Sequence, residues 1–180
     1  MEPDTALLES VRRMEGDALA IVFDEYAPAL FHYAMRSCND PLMADQIVGD
    51  VFAKLLDQLS CGHGPRLNLR SYLFESAYHL LVDQTRYWQR RSPLEEVETL
   101  GSDGNAVLLW EKQILYESMS HAIQTQLTDY QRQVILLRFV EGFSLRETAR
   151  LLGKSVNIVK AVQNRAMATL RKCLHPWVMA

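Results

Sequence analysis

The sequence predicts an all-α protein: two small helical domains joined by a flexible linker. Three observations carry that expectation. Apolar residues recur every three or four positions along most of the chain, no segment alternates with a period of two, and clusters of Gly, Pro and small polar residues break the pattern at only a few places. With 180 residues, 48% hydrophobic and 23% charged, the chain can bury real cores and is unlike a disordered composition.

The first long helix is "ALAIVFDEYAPALFHYAMRSC", in which Leu19, Val22, Phe23, Tyr26, Leu30, Tyr33 and Ala34 share a face. Pro28 in its middle is expected to kink or restart it. "NDP" at 39–41 stops that helix and starts the next, with Asp40 as N-cap and Pro41 in the first helical position. Met43, Ile47, Val51, Leu55 and Leu59 then keep helical register until "SCGHGP" breaks the chain. A third helix, "LRSYLFESAYHLLVDQTRYWQRR", has Leu73, Ala77, Leu80, Leu81 and Val82 as its apolar stripe and an Arg-rich end. "SPLEEVETLGSDGNA", 92–106, is acidic, lacks a period and reads as the linker. Helical spacing resumes at 107, and Thr128 before Asp129 is an N-cap for a helix ending at Gly142. The expected domains are therefore 1–91 and 107–180.

The stretch "SLRETARLLGKSVNIVKAVQNRA", 144–166, pinches two short amphipathic patterns together at Gly153. Ser144 with Glu147 forms a capping-box pattern, Gly153 suits a left-handed turn, and Ser155 can cap a helix running from Val156 to about Leu174. That is the plan of a helix-turn-helix. In its second helix Val159, Val162, Ala166 and Leu170 face inward toward Ala149 and Leu152. Asn157, Lys160 and Asn164 fall on another face, presenting amides and an ammonium suited to base edges and phosphates. Arg165, Arg171 and Lys172 add phosphate-range charge.

The net charge of −3 conceals a partition. Residues 66–91 carry 5 basic and 2 acidic side chains and residues 144–180 carry 7 and 1. The intervening segments are acidic: residues 1–65 carry 4 basic and 11 acidic side chains, and residues 92–143 carry 3 and 8. Positive blocks attract phosphate; acidic ones suit a protein partner or an intramolecular cover. Cys38, Cys61 and Cys173 stand at wide spacings, unlike a disulfide framework or zinc set, so reduced thiols and no metal or cofactor are expected. No Ser-His-Asp or Cys-His constellation stands at readable spacing, which argues against an enzyme. The acidic N-terminus lacks the character of a signal peptide and no run of eighteen apolar residues occurs, so a cytoplasmic protein without membrane insertion is expected.

"FSLRETARLLGKSVNIVKAVQNRAMATLRKCL" resembles region four of the sigma-70 family, in particular its small extracytoplasmic-function sigma factors. The S-x-x-E-x-A-x-x-L-G-x-S core is Ser144, Glu147, Ala149, Leu152, Gly153 and Ser155. "ADQIVGDVFAKLLDQL" resembles the family's A-E-D-L-V-Q-E-V-F segment, and "LRSYLFESAYHLLVDQTRYWQRR" its W-L-x-x-I-A-x-N-x-x-x-D-x-x-R segment. The resemblance covers about 150 residues in the family's order. It implies that domain 107–180 reads a −35 promoter element through Ser155, Asn157, Lys160, Ala161, Asn164 and Arg165. Domain 1–91 would read and open the −10 element with His63, Asn68, Arg70, Tyr72, His79, Arg86, Tyr87, Trp88, Arg90 and Arg91. Asp45, Gln46, Val48, Gly49, Asp50 and Phe52 would dock on the clamp helices of the polymerase β′ subunit. The implied partners are core RNA polymerase (β′ clamp helices and β flap), promoter DNA and an anti-sigma factor.

Departures from the family pattern are Gln46 for Asp, Gly49 for Gln, Tyr72 for Trp and His79 for Asn, with Ala161 and Val162 replacing a small residue and Arg. Two rival readings are a stand-alone helix-turn-helix regulator, which would need a dimer and two half-sites, and a sigma mimic that binds an anti-sigma factor without touching DNA.

Overall fold

The structure, a computed structural model, describes residues 3–66, 68–89 and 118–178, with side chains over 6–66, 68–84 and 118–173. The linker expected at 92–106 lies outside the described residues. The chain divides into two compact units, Met1–Arg91 and Ser92–Ala180. Every regular element among the described residues is helical.

The first unit holds α1 (Pro3–Arg12), α2 (Gly16–Cys38), α3 (Pro41–Ser60) and α4 (Leu69–Gln89). α2, α3 and α4 pack on one another and α1 lies on α2. Val22, Leu30, Tyr33, Ile47, Val51, Leu55, Leu73 and Phe74 are essentially sealed from solvent. Each such side chain contributes about 1.5–3 kcal/mol of transfer free energy. Tyr33 and Phe74 meet edge to face at 5.4 Å between ring centroids, the arrangement their quadrupoles favour. Asp40 caps α3 as expected, its carboxylate accepting from Leu42 N and Met43 N.

Three expectations change. α2 does not restart at Pro28 but continues as helix through it to Cys38, the proline forgoing one backbone hydrogen bond. Phe23 points outward, 48% exposed, because it stands one residue, or 100°, beyond Val22 on the helix circumference. Phe74, outside the expected stripe, is fully buried.

The second unit holds α5 (118–126), α6 (Asp129–Ile135), α7 (Leu145–Leu151) and α8 (Val156–Val178). α8 is the hub, packing on α6 and α7. Ala122, Leu127, Ile135, Ala166 and Leu170 form a core cluster flanked by Ile123, Met167 and Cys173. Thr128 caps α6 in a reciprocal capping box with Gln131. Arg132 turns back toward α5 and donates to Gln124 O (2.7 Å) and Ile123 O (3.3 Å). The guanidinium thus satisfies carbonyls that a helix end leaves orphaned and opposes the negative end of its dipole.

α6 does not continue as an α-helix to Gly142. Leu136–Val140 is a π-helical segment, closed by Glu141 N on Leu136 O at 2.9 Å. The wider turn keeps Leu136 and Leu137 buried while leaving Phe139 53% and Val140 43% exposed. Arg138 locks it: Nε donates to Gln163 Oε1 of α8 at 3.1 Å and Nη1 donates to Phe143 O.

Candidate nucleic-acid interface and docking face

In the second unit, α7 opens on a complete capping box. Glu147 N donates to Ser144 Oγ (3.2 Å) and Ser144 N to Glu147 Oε2 (2.7 Å). It closes on a Schellman turn, with Lys154 N on Ala149 O (2.9 Å) and Gly153 N on Arg150 O (3.0 Å). Gly153 holds φ +59°, the left-handed conformation that glycine adopts without steric cost. Ser155 Oγ then accepts from Ile158 N at 3.4 Å, opening α8. Four residues, 152–155, therefore fix the angle between the two helices of the helix-turn-helix.

α8 separates its faces cleanly. Val159, Val162, Ala166 and Leu170 are buried, whereas Ser155, Asn157, Lys160, Ala161, Asn164 and Arg165 are exposed. Asn157, Lys160 and Asn164 form one longitudinal row. Val162, which departs from the family's Arg, lies in the core at 7% exposure, so that departure changes packing rather than the outer face. Arg146 and Arg150 of α7 and Lys154 of the turn are also exposed. The amide-bearing row of α8 gives no sign of them as DNA contacts, although the basic count of residues 144–180 includes them.

In the first unit, Asp45, Gln46 and Gly49 are exposed on α3, Asp50 and Phe52 are half-buried, and Val48 is turned inward at 9% exposure. Val48 therefore packs and does not join the expected docking face. Phe52 packs against Phe23 of α2 with centroids 4.8 Å apart and the rings tilted by 53°, and Leu42 and Leu56 stand exposed in the same stripe of α3. A Cβ added at Gly49 would meet nothing within 4 Å. The result is an apolar face with a notch at Gly49 and carboxylates at Asp45 and Asp50.

The loop after α3 turns at Gly62, φ +73°, and His63 beyond it is exposed. Between this loop and α1 opens a cavity of about 320 Å³ lined by Glu9, Arg12, Arg13, Leu59, Gly62 and Gly64. A Cβ on Gly64 would sit 2.4 Å from Leu59 Cδ2, so a larger residue at 64 would oblige the end of the Leu59 side chain to shift. Asn68 is occupied as a cap, its Oδ1 accepting from Ser71 N at 2.7 Å. Arg70 lies with its guanidinium 5.3 Å from the Phe74 ring. At helical spacing Arg70 falls opposite the face shared by Tyr72 and His79, so these three residues do not form one surface.

His79 is exposed, 3.9 Å from Glu75 Oε1. The half-buried Tyr72 hydroxyl has no well-formed hydrogen bond. Burial raises its pKa above the usual 10, moderated by nearby Ser76. The side chains of Arg86, Tyr87 and Trp88, together with Arg90 and Arg91, lie outside the described residues. Among the described residues no group of three or more His, Cys, Asp or Glu could hold a metal, and no helix is long and apolar enough to cross a membrane.

A capped helix-turn-helix with a polar, cationic outer row, in a chain that also holds a second helical unit, defines the class: an all-α protein equipped to bind DNA. Comparison with known proteins makes the class specific. The sigma-70 region 2 family matches residues 22–91, and the sigma-70 region 4 family matches residues 125–172. The chain is 26% identical over 166 residues to the ECF RNA polymerase sigma factor SigX of Bacillus subtilis, covering 87% of this chain and 83% of SigX. It is 26% identical over 172 residues to the ECF sigma factor BldN of Streptomyces coelicolor, covering 93% of this chain and 64% of BldN.

Among solved structures, the sigma factor RpoE of Bartonella quintana, in complex with the anti-sigma factor NepR, aligns with a TM-score of 0.70 at 21% identity. That alignment covers 87% of this chain and 96% of RpoE. CnrH, in complex with the cytosolic domain of CnrY, aligns at 0.68 and 21%, covering 96% of this chain and 97% of CnrH. These likenesses confirm the fold. The chain belongs to the sigma-70 family of RNA polymerase sigma factors, within its extracytoplasmic-function group. It is an alternative sigma factor.

Proposed function

We propose that this protein acts in the cytoplasm as the promoter-addressing subunit of RNA polymerase and has no catalytic residues of its own. Polymerase supplies the chemistry; the sigma factor supplies address and strand opening. The observation that carries this reading is the exposed row Asn157, Lys160 and Asn164 on a capped recognition helix, in a chain whose other unit matches region 2.

In this reading the second unit, residues 107–180, lies in the major groove of the −35 element, with Arg165 on the backbone. The first unit, residues 1–91, docks its α3 face on the β′ clamp helices. Gly49, Phe52 and Leu56 supply apolar contact there and Asp45 and Asp50 meet basic partners. Tyr72, His79 and the Arg-rich end of α4 face the −10 element. Aromatic stacking of about 1–3 kcal/mol per base is enough to offset the roughly 1.4 kcal/mol of stacking lost per melted step. Linker 92–106, being acidic, avoids template DNA. An anti-sigma factor holds the protein inactive, a regulation supported by the complex of RpoE with the anti-sigma factor NepR.

Run-off transcription tests this. Full-length protein added to core polymerase should initiate at defined starts on a two-box promoter. Lys160→Ala should weaken −35-dependent promoters, and Arg90→Ala with Arg91→Ala should reduce opening. Tight promoter binding by the free protein, with no holoenzyme formed, would overturn the assignment in favour of a stand-alone regulator.

A further inference from the structure

The outer surface of α8 carries more than the polar row. Ile158 is 47% exposed although fully aliphatic, and Ala161, one turn on, is exposed too. The two stand beside Asn157, Lys160 and Asn164 as a second, parallel row. That row ends at Arg165, whose Nε donates back to Ala161 O at 3.4 Å. The recognition face is therefore split lengthwise into an amide and ammonium strip and a hydrocarbon strip.

An A·T pair presents a matching division in the major groove. Adenine N7 and N6 offer an acceptor and a donor that Asn can meet bidentately, while the thymine on the other strand shows O4 and the C5-methyl group. Ile158 and Ala161 are three residues apart, a rise of about 4.5 Å along the helix. Base pairs stack every ~3.4 Å, so the two side chains meet consecutive steps and not one. Neither can donate to guanine O6 and N7, the contact that Arg or Lys would make there.

We infer that Ile158 and Ala161 read the methyl groups of two adjacent thymines on one strand of the −35 element, with the paired adenines facing the Asn157 and Asn164 row. This rests on the assignment of α8 as the −35 reading helix. Ile158 lies outside the core, so its truncation leaves packing intact.

The test uses holoenzyme formed from the full-length chain and a promoter located by mapping the transcripts that the protein directs. Each thymine of the −35 box is replaced in turn by deoxyuridine, which removes only the methyl. Two neighbouring same-strand positions should each lose about fourfold in promoter affinity, the worth of one buried methyl-sized group. The other positions should be unaffected. Ile158→Ala should abolish discrimination between thymine and deoxyuridine at one of the two positions and retain it at the other, an outcome that a merely structural role would not produce. Initiation that is indifferent to deoxyuridine throughout the box, or a −35 box without adjacent A·T pairs, overturns the inference and leaves the functional assignment standing. Wild-type holoenzyme that initiates nowhere overturns both.

Discussion

Arg138 offers a measurable link between the π-helical segment and the recognition helix. Replacing it with Met keeps the aliphatic stem and removes the guanidinium, which bonds Gln163 on α8 and the Phe143 carbonyl in the loop before α7. A hydrogen bond involving a charged donor contributes about 1.5–3 kcal/mol. Arg138 is half-buried, so water recovers part of what both acceptors lose, and the two bonds together should contribute about 2 kcal/mol. That corresponds to a roughly 30-fold change in the opening equilibrium of the unit. Amide hydrogen exchange on the full-length protein reads it directly. Protection at Val159, Val162 and Ala166 should fall about 30-fold, while Val51 and Leu55 in the first unit stay unchanged and serve as the internal control. Gln163→Leu alone should reproduce part of the loss and add little in the double variant. Unchanged protection along α8 in Arg138→Met would refute the idea that this side chain fixes the helix-turn-helix to its support.

Thr148 is fully buried and its hydroxyl finds no partner among the described residues; Thr148→Val should therefore stabilise the second unit by about 1 kcal/mol in denaturant unfolding. The raised pKa of Tyr72 means that the unfolded phenol ionises first. Stability should fall as pH rises from about 10 through the folded pKa, and Tyr72→Phe should flatten that fall in alkaline unfolding curves. Lys160→Ala should reduce the slope of log affinity against log salt by about 0.9 for holoenzyme on its promoter, the signature of one lost phosphate contact.

What the sequence disclosed and what it hid follow from range. Asp40, Thr128, Ser144 and Gly153 were readable because a cap acts over two to five residues, and all four sit in the structure as the local pattern requires. Arg138 was not, because its acceptor Gln163 lies 25 residues away. Nor was Arg132, which reaches back to the carbonyls of α5. The π-helical segment leaves no mark in an apolar run such as "LLRFV", since its inner and outer positions differ only by one extra residue in a turn. Errors of face came from adjacency: beside buried Val22, Phe23 turns out, whereas beside buried Ile47, Val48 turns in as well, and only tertiary packing decides between the two outcomes. Asn68 illustrates a different limit, for an amide that could read a base is instead spent on a helix end.

The wide turn at Leu136–Val140 also sets a fixed spacing within the second unit. Upstream, Ile135 is anchored in the cluster with Ala166 and Leu170 of α8; downstream, Gly142 and the Ser144 cap begin α7. Arg138 stands between those anchors and bonds both Gln163 and Phe143, so an insertion or deletion of one residue there would draw it off one acceptor or the other. The supporting helix and α8 must therefore keep their lengths in step, like two leaves of a hinge on a single pin.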